Sequence, residues 1–72
     1  MTALPSITVR LDDRAVALPA GATLAQLLEL ERREPAAVAT ALNGRFVPRD
    51  ARPATALRDG DVVLFFQPIV GG

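Results

Sequence analysis

The sequence predicts an α+β domain in which one helix covers one face of a mainly antiparallel or mixed sheet of four to five strands. Three observations favour this class. Apolar and polar residues alternate near the start of the chain, a helical pattern of leucines follows residue 23, and an Asn-Gly pair separates two further strand-like segments. The predicted order is strand, strand, helix, strand, strand and a final strand, without an internal repeat.

The first predicted element is a β-hairpin from about residue 6 to residue 19. Apolar residues occupy every second position from Ile7 to Leu11, which is the period of a half-buried strand. Asp12-Asp13-Arg14 is a polar turn, and the alternation resumes after it until Pro19.

A helix is predicted to begin after Thr23 and to end near Arg32-Arg33. Thr23 is followed three residues later by Gln26, which is the spacing of a capping box. The leucines that follow share one face of a helix. Because Pro35 disfavours the helical conformation at Glu34, the helix should end before these residues.

A second hairpin is predicted around Asn43-Gly44, because both residues tolerate the positive φ of a type I′ turn. In the strand before this turn, Ala39 and Ala41 point to one side. The residues that point to the other side are Val38, Thr40 and Leu42.

The last predicted strand, VVLFF, follows a short irregular passage bracketed by Pro48 and Pro53 and a turn at Asp59-Gly60. This strand is apolar on both sides, whereas a sheet covered by one helix buries only one side. The other side should therefore form an exposed patch. Simple alternation with the polar residues at the strand ends makes Phe66 the buried residue and Phe65 the exposed one.

Composition limits the functions that the chain can perform. Its 72 residues make one small domain without cysteine, so disulfides cannot stabilise it. The absence of histidine and cysteine removes the usual zinc ligands, the usual general base and the thiol nucleophile, so we expect no metal site and no enzyme. The net charge is zero and the arginines are scattered, which does not favour nucleic-acid binding.

The same sequence favours a cytoplasmic location. No stretch approaches the roughly 18 to 20 consecutive apolar residues of a membrane span. The segment MTALPSITVR lacks the basic start and the apolar core of a signal peptide. We therefore expect a cytoplasmic protein without a membrane partner.

Three segments, ALNGRFVPR, LRDGDVV and FFQPIVGG, carry a family resemblance when they occur together at these distances. The chain resembles the ThiS-type sulfur carriers of thiamine biosynthesis, which have the ubiquitin-like β-grasp fold. The resemblance covers nearly the whole chain from about Ile7. It implies a single β-grasp domain at residues 1–68 and a flexible C-terminal Gly-Gly tail at residues 69–72.

The resemblance implies that Gly72 is the reactive residue and that Gly71 lies beside it in a narrow channel. In the family, an E1-like adenylating enzyme of the ThiF type uses Mg-ATP to activate the terminal carboxylate, which then becomes a thiocarboxylate. The sulfur comes from a donor such as a cysteine desulfurase or a rhodanese-like protein. A thiazole synthase of the ThiG type then receives it for the thiazole ring. The chain itself would bind no cofactor and would be a co-substrate.

The resemblance also reverses the assignment of the last strand. The residue equivalent to Phe66 is a contact residue in ubiquitin and in molybdopterin-synthase small subunits. Asp61 and Gln67 stand at the ends of the strand, where the helix no longer covers the sheet, so they do not decide which face is buried. The predicted partner interface consists of Phe66, Leu64, Ile69, Val70, Ala39 and Ala41.

Two alternatives remain open from the sequence. The small subunit of molybdopterin synthase shares the fold and the terminal chemistry, and the segment FFQP matches half of the pattern that its members show before the final segment. A protein of another class would be a ubiquitin-like modifier, or an interaction module without carrier function whose glycines are only an untied end.

Overall fold

A computed structural model of the chain describes residues 5–67. These residues form five strands, one α-helix and one 3-10 helix. In chain order they are β1 (Ser6–Leu11), β2 (Arg14–Pro19), α1 (Leu24–Leu30), β3 (Ala39–Leu42), β4 (Arg45–Val47), the 3-10 helix (Arg49–Ala54) and β5 (Val62–Phe66). The tail predicted at residues 69–72 lies outside the described residues.

The strands form one mixed sheet with the order β2-β1-β5-β3-β4. β1 and β5 are parallel, whereas the β1–β2, β3–β4 and β3–β5 pairs are antiparallel. The α+β class and the mixed sheet are therefore confirmed. β5 lies in the centre of the sheet, so the strand that precedes the tail is held on both sides.

The predicted capping box begins α1. Oγ1 of Thr23 accepts a hydrogen bond from the backbone N–H of Gln26 at 3.2 Å, and Oε1 of Gln26 accepts one from the backbone N–H of Thr23 at 2.9 Å. The sequence predicted that α1 ends near Arg32-Arg33, which is about two residues after its observed end at Leu30. Arg32 takes a left-handed conformation with φ of 56°, and the N–H of Arg33 donates to the carbonyl of Leu28, so the helix ends in a Schellman motif.

The second hairpin has the predicted turn, since Asn43 and Gly44 have φ values of 51° and 84°. The side chain of Asn43 also reaches the central strand. Its Oδ1 accepts a hydrogen bond from the N–H of Val62 at 2.8 Å, and its Nδ2 donates to Oδ1 of Asp61 at 3.0 Å. This hairpin is therefore fixed to the beginning of β5.

The passage between Pro48 and Pro53 was predicted as irregular, and that prediction was wrong. It forms the 3-10 helix, which begins where the N–H of Ala51 donates to the carbonyl of Pro48 at 3.0 Å. Pro53 lies inside this short helix and donates no backbone hydrogen bond there. The helix buries one charged side chain, Arg52, beneath it.

The core lies between α1 and one face of the sheet. Apolar side chains from the helix, the strands and the loop before β5 pack there, and several of them are inaccessible to solvent. Its members are Val9, Leu11, Leu18, Ala22, Leu24, Leu27, Leu28, Val38, Val47, Leu57, Val63 and Phe65. Within the described residues, no helix covers the opposite face of the sheet. We call this opposite face the outer face.

Among residues 5–67, no helix is both long enough and apolar enough to cross a membrane.

Candidate functional site

The two adjacent phenylalanines of β5 lie on opposite faces of the sheet. Phe65 is 9% exposed and belongs to the core, whereas Phe66 is 44% exposed on the outer face. The assignment from simple alternation was wrong, and the exposure that the resemblance implied for Phe66 is confirmed. The polar Asp61 lies on the same side of β5 as the buried Phe65, which is why alternation gave the wrong face. Its carboxylate accepts hydrogen bonds there from the side chain of Asn43 and from the backbone N–H of Arg58.

An apolar patch occupies the outer face around Phe66. It consists of the exposed side chains of Phe46, Val62, Leu64 and Phe66. Phe46, on β4, was not among the predicted interface residues, although it is 64% exposed. Its alternation with the buried Val47 could have placed it on this face.

The predicted interface alanines form the floor of the apolar patch. In the sheet register, Ala41 lies between Phe46 on β4 and Leu64 on β5, and Ala39 lies opposite Phe66. Both alanines are nearly covered by their neighbours, at 8% and 9% exposure, so they add little contact area themselves. Their small size leaves a shallow surface between the two aromatic side chains.

The remaining predicted site residues are Ile69, Val70, Gly71 and Gly72. They lie outside the described residues, so their roles stay predictions.

The end of β5 is held by the turn between β1 and β2. Oδ1 of Asp12 accepts a hydrogen bond from the N–H of Phe65 at 3.2 Å, and the N–H of Asp12 donates to the carbonyl of Val63 at 3.0 Å. Asp12 has a φ of 53°, a left-handed conformation that aspartate tolerates better than most residues. These contacts fix the apolar patch relative to the core.

A buried arginine supports β3 from the other side of the sheet. Arg52 is 3% exposed and donates from Nε to Oγ1 of Thr40 at 3.1 Å, and from its two terminal nitrogens to the carbonyls of Pro35 at 2.9 Å and Val38 at 2.7 Å. Burial lowers the pKa of the Arg52 guanidinium below its ordinary value, and the charge of Arg49 lowers it further. Sequence analysis missed this residue, because its partners are distant in the chain.

The described side chains form binding surfaces rather than a cluster of reactive groups. Among residues 5–67, no group of three or more histidine, cysteine, aspartate or glutamate side chains is placed to hold a metal ion. The arrangement can present an aromatic surface to another protein while the chain continues from β5 towards Gly72.

The comparisons with known proteins agree with this architecture. Residues 4–72 match the ThiS family. Over 61 residues the chain is 39% identical to the sulfur carrier protein ThiS of Escherichia coli strain K12. This alignment covers 85% of this chain and 92% of that protein. The fold is similar to the crystal structure of the thiamine biosynthesis protein ThiS from Geobacter metallireducens, with a TM-score of 0.79, 26% identity and coverage of 92% of this chain and 100% of that one.

Both of these relatives are named as ThiS proteins, so the comparisons favour the thiamine interpretation over the molybdopterin-synthase small subunit. The mixed five-stranded sheet with one main helix also agrees with the predicted β-grasp fold. The chain therefore belongs to the ThiS family of β-grasp sulfur carriers of thiamine biosynthesis.

Proposed function

We propose that this chain carries sulfur as a thiocarboxylate on Gly72 and donates it for the thiazole ring of thiamine. The observation that carries the proposal is the match to the ThiS family, which extends through residue 72 and so includes the Gly71-Gly72 pair. The exposed aromatic surface on β5, next to the point where the tail begins, supports it as a place for partner enzymes to bind.

The proposed chemistry has two steps. The carboxylate of Gly72 attacks the α-phosphorus of ATP on an E1-like partner, pyrophosphate leaves, and an acyl-adenylate forms. In the second step, the terminal sulfur of a persulfide on a cysteine desulfurase or a rhodanese-like protein attacks the acyl carbon and AMP leaves, and a thiol then reduces the resulting acyl disulfide to the thiocarboxylate and is itself oxidised to a disulfide. Mg-ATP and the catalytic side chains belong to the partners in this proposal, so the chain is a co-substrate.

The proposed chemistry requires a folded body that stays outside the partner's active site and a terminal segment that enters it. The apolar patch would lie on the partner surface while residues 69–72 enter a channel that leads to the nucleotide. Four extended residues reach roughly 13 Å. Glycine has no Cβ, so Gly71 and Gly72 fit a channel that is too narrow for other residues.

The proposal places the carrier in the cytoplasm, together with the enzymes that it serves. A ThiF-type enzyme would activate it, and a thiazole synthase of the ThiG type would take its sulfur. Both enzymes would meet the same small carrier in turn, so we expect their binding sites on the apolar patch to overlap.

Intact-mass spectrometry tests the proposal directly. The purified chain is incubated with the E1-like enzyme from its own organism, Mg-ATP, the sulfur donor and a thiol reductant, and the expected product has one oxygen replaced by sulfur. A variant without Gly72 is the matched control and should keep its original mass. If the parent chain also keeps its mass while a known ThiS protein is converted by its own enzymes, the carrier function is wrong.

A further inference from the structure

Two open grooves share Pro35, Arg49 and Arg52 in their linings, and one of the two borders the apolar patch. One groove, of about 210 Å³, is also lined by Phe46 and Ala39. It is therefore continuous with the apolar patch. The second groove, of about 240 Å³, lies towards α1 and includes Arg33 and Glu29.

The charge of this region is unbalanced. Three arginines, Arg33, Arg49 and Arg52, face a single carboxylate, Glu29, in the lining of the two grooves. Within residues 5–67 the one ion pair joins Arg14 to Glu31, so none of the three arginines has a described carboxylate within salt-bridge distance. The chain as a whole has no net charge, which makes this local excess of positive charge distinctive.

In the described part of the chain, the side chains of Arg52 and Arg33 contact uncharged groups. Arg52 is held by neutral oxygens only, the Thr40 hydroxyl and the carbonyls of Pro35 and Val38, so nothing that it contacts cancels its charge. The guanidinium of Arg33 lies 5.8 Å from the centre of the Phe65 ring, at a cation–π distance. Low-dielectric groove walls that carry mainly positive charge strengthen the local field.

We infer that the exposed Arg33 and Arg49 receive acidic side chains of the adenylating partner when that enzyme covers the apolar patch, while the buried charge of Arg52 adds to the local field. The inference rests on the proposed function and adds to it the chemistry of the partner surface. Charge complementarity supports carboxylates as the ligands, since exposed arginine forks bind carboxylates in a bidentate manner. Continuity of the first groove with the apolar patch supports a protein as their source, because one protein surface can cover the patch and Arg49 and extend into the adjoining groove that contains Arg33.

The two surfaces should contribute differently to binding. The aromatic side chains of the apolar patch would determine how long the complex lasts, whereas the exposed arginines would steer the encounter and fix its orientation. Steering by exposed charges weakens as ionic strength rises. The inference therefore predicts a salt-dependent KM for the carrier.

The test uses the double variant Arg33→Glu/Arg49→Glu in ATP–pyrophosphate exchange with the E1-like enzyme of the same organism. The matched control is Arg45→Glu/Arg58→Glu, which makes the same change of charge at two exposed arginines outside both grooves. We expect the KM for the carrier to rise about tenfold or more at low salt in the first variant, with kcat unchanged. The difference should shrink at high salt, and the control should resemble the parent.

Arg33→Gln/Arg49→Gln is a milder second variant, in case charge reversal prevents folding as judged by circular dichroism. Equal KM values for the groove and control variants would overturn the inference. So would a fall in kcat at constant KM, since that result would place the arginines at the nucleotide phosphates. Absence of exchange with the parent chain would overturn the proposed function and the inference with it.

Discussion

Nε of Arg52 donates a hydrogen bond to Oγ1 of Thr40 across 3.1 Å, and Oγ1 of Thr40 donates in turn to the carbonyl of Val47 at 3.0 Å. Both side chains are buried. This relay connects the 3-10 helix to β3 and β4, the two strands that carry Phe46 and the alanine floor of the apolar patch. Arg52 thus stabilises the docking surface from beneath.

Replacing Arg52 with methionine should destabilise the fold by about 2 kcal/mol, because two carbonyls and a hydroxyl lose a charged donor while the aliphatic stem is kept. Urea unfolding measures the change. Arg49→Met is the control, since Arg49 is exposed and should change the free energy of unfolding by less than about 0.5 kcal/mol. Equal free energies of unfolding for the two variants would show that the hydrogen bonds of Arg52 contribute nothing to stability.

The two phenylalanines of β5 provide a matched pair of truncations. Phe65→Ala should lower the free energy of unfolding by roughly 3 to 5 kcal/mol, as expected for a buried aromatic residue. Phe66→Ala should leave stability nearly unchanged and should raise the KM for the carrier with its adenylating partner. Thermal unfolding and ATP–pyrophosphate exchange separate the two effects, and a large loss of stability with Phe66→Ala would contradict the assigned exposure.

Phe46 should behave as a second aromatic contact. Phe46→Ala is expected to raise the KM in the same exchange assay, because its ring is one of the exposed members of the apolar patch. Leu30→Ala is a suitable control, since Leu30 on α1 is 59% exposed and lies away from the outer face of the sheet. If the two variants weaken activation equally, the partner does not bind selectively to this face.

Removal of Gly72 should abolish adenylation and leave the fold intact. The variant loses the residue whose carboxylate is proposed to attack ATP, and Val70 and the core are unchanged in sequence. ATP–pyrophosphate exchange should fall to background, and the urea unfolding midpoint should match that of the parent. Normal exchange by the truncated chain would contradict the proposed mechanism.

Local sequence signals predicted the elements whose structure depends on near neighbours. The capping box at Thr23 and Gln26 and the positive φ values at Asn43 and Gly44 are of this kind. Phe65 and Phe66 are different, because the buried face depends on pairing with β3, which is distant in the chain. The resemblance supplied that information where alternation could not.

Arg52 marks the limit of prediction from a local pattern. Its hydrogen-bond partners are 12 to 17 residues away, and an arginine in a polar, proline-containing passage gives no indication of burial. Phe46 was missed for a simpler reason, since β4 has only three residues and a short alternation is a weak signal. The contributions of Ile69 and Val70 stay predictions.

The central position of β5 also affects how the chain can fold during synthesis. β5 joins the β1–β2 hairpin to the β3–β4 hairpin, yet it is the last of the five described strands to be synthesised. A nascent chain that still lacks β5 has two hairpins and a helix without the strand that unites them, so the cooperative sheet cannot form. Products of premature termination before Val62 would stay open to proteases, and the folded pool would therefore be enriched in molecules whose translation continued towards the glycines.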